Sequence, residues 1–152
     1  MRKRPSIIEL SVAALMLTLV VLVFAQVMVR YLTYQPLAWS EEAARYAFIW
    51  LCLLGAVVAA QRGQHFVVDY TQRALPAKLY RFTATATQLL ATLFYALLAA
   101  AGLKTLTVVH FQQSSSLEIP MSISYLAIPV GALLLAAVSI RQAWSIWFQK
   151  LD

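Results

Sequence analysis

The sequence predicts an all-α integral membrane protein with four transmembrane helices, both termini in the cytoplasm, and an interfacial amphipathic segment between the second and third spans. Three observations carry this reading. First, 62% of the 152 residues are hydrophobic and 12% are charged, about half the charged share of a soluble domain, and the mean hydropathy is +0.74. Second, residues 10–29, 82–103 and 119–140 contain no charged side chain, and residues 46–61 form a shorter run of the same kind. A helix rises about 1.5 Å per residue, so roughly 20 residues cross a hydrocarbon layer of about 30 Å. Third, alternating spans place Arg2, Lys3, Arg4, Arg62, Arg73, Lys78, Arg81, Arg141 and Lys150 on one side, against Arg30, Arg45 and Lys104 on the other. Basic residues concentrate on the cytoplasmic side, which puts both termini there. The chain reads as a single membrane domain over residues 1–152, with spans near 10–30, 41–61, 82–103 and 120–141.

The first span follows a basic start, Arg2-Lys3-Arg4, and Val23-Phe24-Ala25 resembles a cleavage site. Its apolar run is longer than a signal peptide's and further spans follow instead of an exported domain, so it is expected to be retained. The second apolar run is too short alone. Extended back to Glu41 it is long enough, with Glu41, Glu42 and Arg45 in the first turns, Ser40 as N-cap, and the two carboxylates facing the positive end of the helix dipole. Both glutamates are one turn from Arg45, within reach of an ion pair.

Residues 62–81 are too apolar for a plain linker. Phe66, Val67, Tyr70 and Leu75 fit one face of a helix lying among lipid headgroups, with Arg73, Lys78 and Arg81 reaching phosphates. Pro76 divides this segment into two short pieces, and His65 and Asp69 are four residues apart. In the third span Thr83, Thr85, Thr87 and Gln88, like Gln26 in the first, are polar groups expected to bond neighbouring helices. Ser114, Ser115 and Ser116 read as a polar loop, and Pro120 suits the entrance of the fourth span. Pro129 removes the backbone bond to Tyr125 and is expected to bend that span. Tyr31, Tyr34, Trp39, Trp50, Trp144 and Trp147 supply anchors at the membrane–water interface.

Chemistry is sparse. Cys52 is the single cysteine and is expected to be a small buried residue of the second span. His65 and His110 fall on opposite sides of the bilayer, so they cannot share a haem or metal ion. With no phosphate-binding glycine loop and no nucleophile motif, neither an enzyme nor a cofactor is expected. The span middles carry no ionisable group and the two halves of the chain are not repeats, which argues against a self-contained carrier. The net charge of +6 is explained by topology, with membrane lipids as partner and no nucleic acid.

Four features together resemble one family over nearly the full length. They are the basic start, "WSEEAARYAFIW" at residues 39–50, "GQHFVVDY" at 63–70 and "LEIPMSISYLAIPVG" at 117–131. The chain resembles the small membrane subunit of tripartite ATP-independent periplasmic (TRAP) transporters, the DctQ-like group. The resemblance implies a multi-pass protein of the bacterial inner membrane. It would act as a non-catalytic scaffold for a large membrane subunit, which imports an organic acid such as a dicarboxylate or sialic acid. A periplasmic substrate-binding protein delivers the cargo, and sodium coupling resides on the large subunit. Trp39, Glu41, Glu42, Arg45, Phe48, Trp50, Tyr125 and Pro129 are then candidates for the subunit interface. His65, Phe66, Asp69, Arg73, Lys78 and Arg81 are candidates for the membrane surface. The runner-up is a cofactor-free membrane anchor of a redox or signalling complex.

Overall fold

The computed structural model describes residues 6–34, 37–62 and 76–148. Among them are five helices: α1 (Ile7–Thr33), α2 (Ala38–Gln61), α3 (Ala77–Val109), the single turn α4 (Ser122–Tyr125) and α5 (Ala127–Phe148). α1, α2, α3 and the α4–α5 unit are each long and apolar enough to cross a membrane. His65, Phe66, Asp69 and Arg73 lie outside the described residues, as does the side chain of Lys78, so the amphipathic segment expected there is represented only by the start of α3.

Helix ends follow local chemistry. α1 opens on a capping box: Ser6 Oγ accepts from the Glu9 N–H at 3.2 Å while the Ser6 N–H donates to Glu9 Oε2 at 3.0 Å. It closes at Tyr34, whose left-handed backbone (φ 56°) lets its N–H reach the Arg30 carbonyl at 3.1 Å. α2 begins before the expected cap. Its N-cap is Leu37, and Ser40 is instead buried inside the first turn, its hydroxyl donating to the Leu37 carbonyl at 2.7 Å. The 33 residues of α3 extend about 50 Å, well beyond the hydrocarbon thickness.

The helices stand side by side in a row rather than a closed bundle, α1 antiparallel to α2, α2 parallel to α5, and α5 antiparallel to α3. α1 packs on α2, α2 also packs on α5, and α5 packs on α3; α1 has no other helical neighbour, and α2 and α3 do not meet. The spatial order is therefore α1, α2, α5, α3. α5 is the most buried helix and α1 has no buried residue. The core, Val57 and Ala60 of α2 with Leu135 of α5, is supplemented by Ile8, Tyr95, Leu134 and Val138.

Small residues set the spacing of the row, as expected where lipid removes the hydrophobic drive between helices. A Cβ at Gly131 would stand 2.9 Å from Leu53 Cβ, and one at Gly102 would stand 3.0 Å from Pro129 Cδ. Pro129 is fully buried in that crossing. The fourth span is interrupted at Leu126, between α4 and α5, four residues after Ser122 and three before the proline. Pro129 has no N–H to give Tyr125, so the break follows the expected position. Pro120 lies two residues ahead of α4, in an isolated antiparallel bridge with Gln113.

Candidate functional site

Polar contacts tie the row together chiefly near its two ends. At one end Arg62 Nη2 and Nε reach Glu9 Oε1 at 2.8 and 3.1 Å, joining the start of α1 to the end of α2. Gln142 Nε2 donates to the Ala60 carbonyl at 2.6 Å, joining α5 to α2. The Arg81 guanidinium lies 5.2 Å from the centre of the Trp147 ring, joining α3 to α5. Arg81 was expected to reach lipid phosphates; this ring takes one face of its charge.

The opposite end contains the residues singled out in the sequence. Gln26 Nε2 of α1 donates to Glu41 Oε1 at 3.3 Å, the inter-helix role expected for that glutamine. Glu42 turns the other way. Its Oε2 accepts the N–H groups of Ser116 and Leu117 at 3.1 and 3.2 Å, and Tyr46 donates to its Oε1 at 3.2 Å. The serine stretch expected to be a plain polar loop is thus a folded turn. The Ser114 N–H reaches the Ile119 carbonyl at 2.9 Å, and Glu118 adopts φ 53° at its tip.

Neither glutamate pairs with Arg45. Among the described residues the ion pair present is Glu9–Arg62, and Arg45 is exposed without a hydrogen-bond partner. The expected pair fails because each carboxylate has closer donors on another segment. Glu42, Arg45, Tyr46, Met121, Ser124 and Tyr125 line much of a cavity of about 280 Å³ between α2 and the α4–α5 unit.

The remaining candidates divide between two faces of α2. Glu41, Arg45, Phe48 and Cys52 recur at helical spacing on an exposed stripe. Cys52, expected to be buried, lies on that stripe because α1 and α5 cover the flanks of α2 and leave its front open. Trp50 is half-buried and bonds within the chain: its indole N–H donates to the Ile123 carbonyl at 3.2 Å. The helical break leaves carbonyls of α4 short of partners, and the indole satisfies one. Trp39 and Tyr125 are partly exposed, whereas Pro129 is enclosed. Of the expected interface anchors, Tyr31, Tyr34, Trp144 and Trp147 are exposed near helix ends.

In α3, Thr83 and Thr87 bond carbonyls of their own helix rather than a neighbouring one. Two contacts were missed in the sequence. Glu9–Arg62 links residues 53 positions apart, which no local pattern reveals. The capping box at Ser6 was available as S-x-x-E.

No group of three or more His, Cys, Asp or Glu side chains suited to a metal ion occurs among the described residues. The chain is similar to several curated proteins. The Haemophilus influenzae (strain 86-028NP) sialic acid TRAP transporter permease protein SiaT is 31% identical over 114 residues, 75% of this chain and 18% of that protein. The Vibrio cholerae sialic acid TRAP transporter small permease protein SiaQ is 34% identical over 70 residues, 46% of this chain and 40% of that one. The Rhodobacter capsulatus C4-dicarboxylate TRAP transporter small permease protein DctQ is 31% identical over 101 residues, 65% of this chain and 44% of that one. The matched stretch spans less than half of each of these relatives. The family model described as "Tripartite ATP-independent periplasmic transporters, DctQ component" matches residues 19–149. The chain belongs to this family. DctQ components are transporter permease subunits rather than enzymes, and with four spanning helices this one is a multi-pass protein of the bacterial inner membrane. The match to a DctQ component takes in every residue of the α2 stripe and of the turn that Glu42 holds.

Proposed function

We propose that this DctQ component is the non-catalytic small permease subunit of a sodium-coupled, binding-protein-dependent importer of an organic acid, bracing a large membrane subunit. The observation that carries this reading is the open row. A layer one helix thick, whose first helix has no fully buried residue and whose second presents an uncovered stripe, has no interior in which to enclose cargo. Several of its polar side chains, Gln26 with Glu41, Glu9 with Arg62 and Gln142 with the Ala60 carbonyl, are engaged within the chain near the helix ends, and the spans lack the midplane ionisable groups that ion and solute pathways use. Sodium coupling and substrate binding are assigned to the large subunit, and no cofactor to this chain. The names of the relatives support a dicarboxylate or a sialic acid as cargo. Both termini are assigned to the cytoplasm on the distribution of Lys and Arg. The Glu42 end then faces the periplasm, where the substrate-binding protein docks. Arg45, an exposed cation with no partner among the described residues, is the leading contact for the large subunit or for that protein.

Reconstitution tests this. Liposomes containing the chain alone are expected to take up neither labelled sialic acid nor labelled C4-dicarboxylate under a sodium gradient. Adding the large subunit and its binding protein should restore uptake. Transport by the chain alone, or full transport without it, would sink the proposal.

A further inference from the structure

The geometry points to a phospholipid site at the Glu9 end, in a groove of about 650 Å³ where the start of α1, the end of α2 and one face of α5 converge. The inference rests on the four spans and is independent of the transport reading. Leu134, Ala137, Val138, Arg141, Gln142 and Ser145 of α5 line the groove, together with Ser6 and Gln61. Leu134, Val138, Arg141 and Ser145 recur at helical spacing, so one face of α5 grades from apolar to cationic. Leu134 lies about 10 Å along the helix axis from Arg141, toward the middle of the span.

Charge selects the occupant. The charged pair beside the groove, Glu9 with Arg62, is closed on itself at 2.8 Å and contributes no net charge. Arg141 is exposed and has no hydrogen-bond or ion-pair partner among the described residues. Of the other polar lining groups, Gln142 Nε2 holds the Ala60 carbonyl, Ser145 donates to the Gln142 carbonyl and Ser6 caps α1, while Gln61 is exposed and carries no charge. One unneutralised guanidinium above an apolar slot matches a phosphate joined to an acyl chain. A free phosphate uses only the upper half of such a groove. An excess positive charge favours an anionic headgroup over a zwitterionic one, so the site is assigned to an anionic phospholipid of the leaflet that this end faces.

The test is native mass spectrometry of the full-length chain in mild detergent, presented with phosphatidylglycerol or phosphatidylcholine. Phosphatidylglycerol should be retained preferentially. Arg141→Ala should lower its occupancy about tenfold, the loss expected for one charge-assisted hydrogen bond, with Arg141→Lys closer to the parent. Leu134→Trp fills the apolar limb while keeping the arginine, and should lower occupancy as well in protein that still elutes as a single species. Excess inorganic phosphate should displace none of the lipid. Unchanged occupancy in Arg141→Ala overturns the proposal. So does displacement by phosphate with Leu134→Trp silent, which marks a soluble-anion site. Loss of large-subunit co-purification in Leu134→Trp with lipid retention intact also overturns it, marking a protein-contact face. None of these readouts depends on uptake, so the lipid site and the transport role fail separately.

Discussion

The indole N–H of Trp50 donates to the Ile123 carbonyl at 3.2 Å, across 73 positions of sequence. The contact places a polar donor of α2 against the one interrupted span, where a carbonyl near the break has lost its helical partner. Trp50→Phe keeps most of the apolar bulk and removes the donor. It is expected to destabilise the protein by about 1 kcal/mol, a fall of roughly 2–4 °C in Tm for a chain of this size. Thermal unfolding in detergent checks this, and an unchanged midpoint would mean that water already serves that carbonyl.

Two glycines of the row should respond in opposite directions to the same substitution. At Gly131 a Cβ meets Leu53 Cβ at 2.9 Å, whereas at Gly55 it meets nothing within 4 Å. Gly131→Ala should force α5 away from α2 and destabilise by about 1–3 kcal/mol. Gly55→Ala should stabilise by roughly 0.5–1 kcal/mol through the restricted unfolded backbone. Equal midpoints for the two variants would contradict the packing of α2 on α5.

The Glu9–Arg62 pair predicts a swap result. Glu9→Arg should lower the unfolding temperature, and adding Arg62→Glu should recover part of the loss. The part recovered by the swap should be smaller than the effect of Trp50→Phe, because the side chains are 27% and 58% exposed and water screens them; the rest of the loss belongs to the Ser6–Glu9 capping box. It should shrink further at high salt. A double variant no better than the single one would show that the two side chains do not interact.

Arg45→Glu should reduce uptake by the reconstituted three-component system without reducing the amount of the chain in the membrane. Glu42→Gln gives a different pattern, because Glu42 holds the turn at Ser116 and Leu117. It should lower the unfolding temperature as well as uptake. Wild-type uptake and intact co-purification of the large subunit in Arg45→Glu would remove Arg45 from the interface.

The four spans were legible because hydrocarbon imposes a length and a charge rule that composition alone satisfies. The family was legible because its motifs fall at span ends, where polar residues stand out. What the sequence concealed was which carboxylate meets which donor. Local spacing favoured Glu41 or Glu42 with Arg45, yet Gln26 and the Ser116–Leu117 turn, distant in sequence, approach more closely. Ser40 was assigned as a cap on the assumption that α2 starts where it must to reach spanning length. The helix starts earlier, at Ala38, and the hydroxyl bonds inside the first turn. Trp50 reads as an interfacial aromatic until the break at Leu126 is known, since only then is there a carbonyl for it to serve.

Spatial order and chain order differ: α5 emerges after the other described helices, yet it stands between α2 and α3. During synthesis α3 therefore enters the bilayer as a solitary rod, able to reside there because its own hydropathy suffices, with no sibling to lean on until α5 arrives. Ribosome-stalled nascent chains arrested before α5 should hold α1 and α2 as a hairpin and leave α3 free to drift, making the insertion of α5 the step that turns separate passengers into a panel.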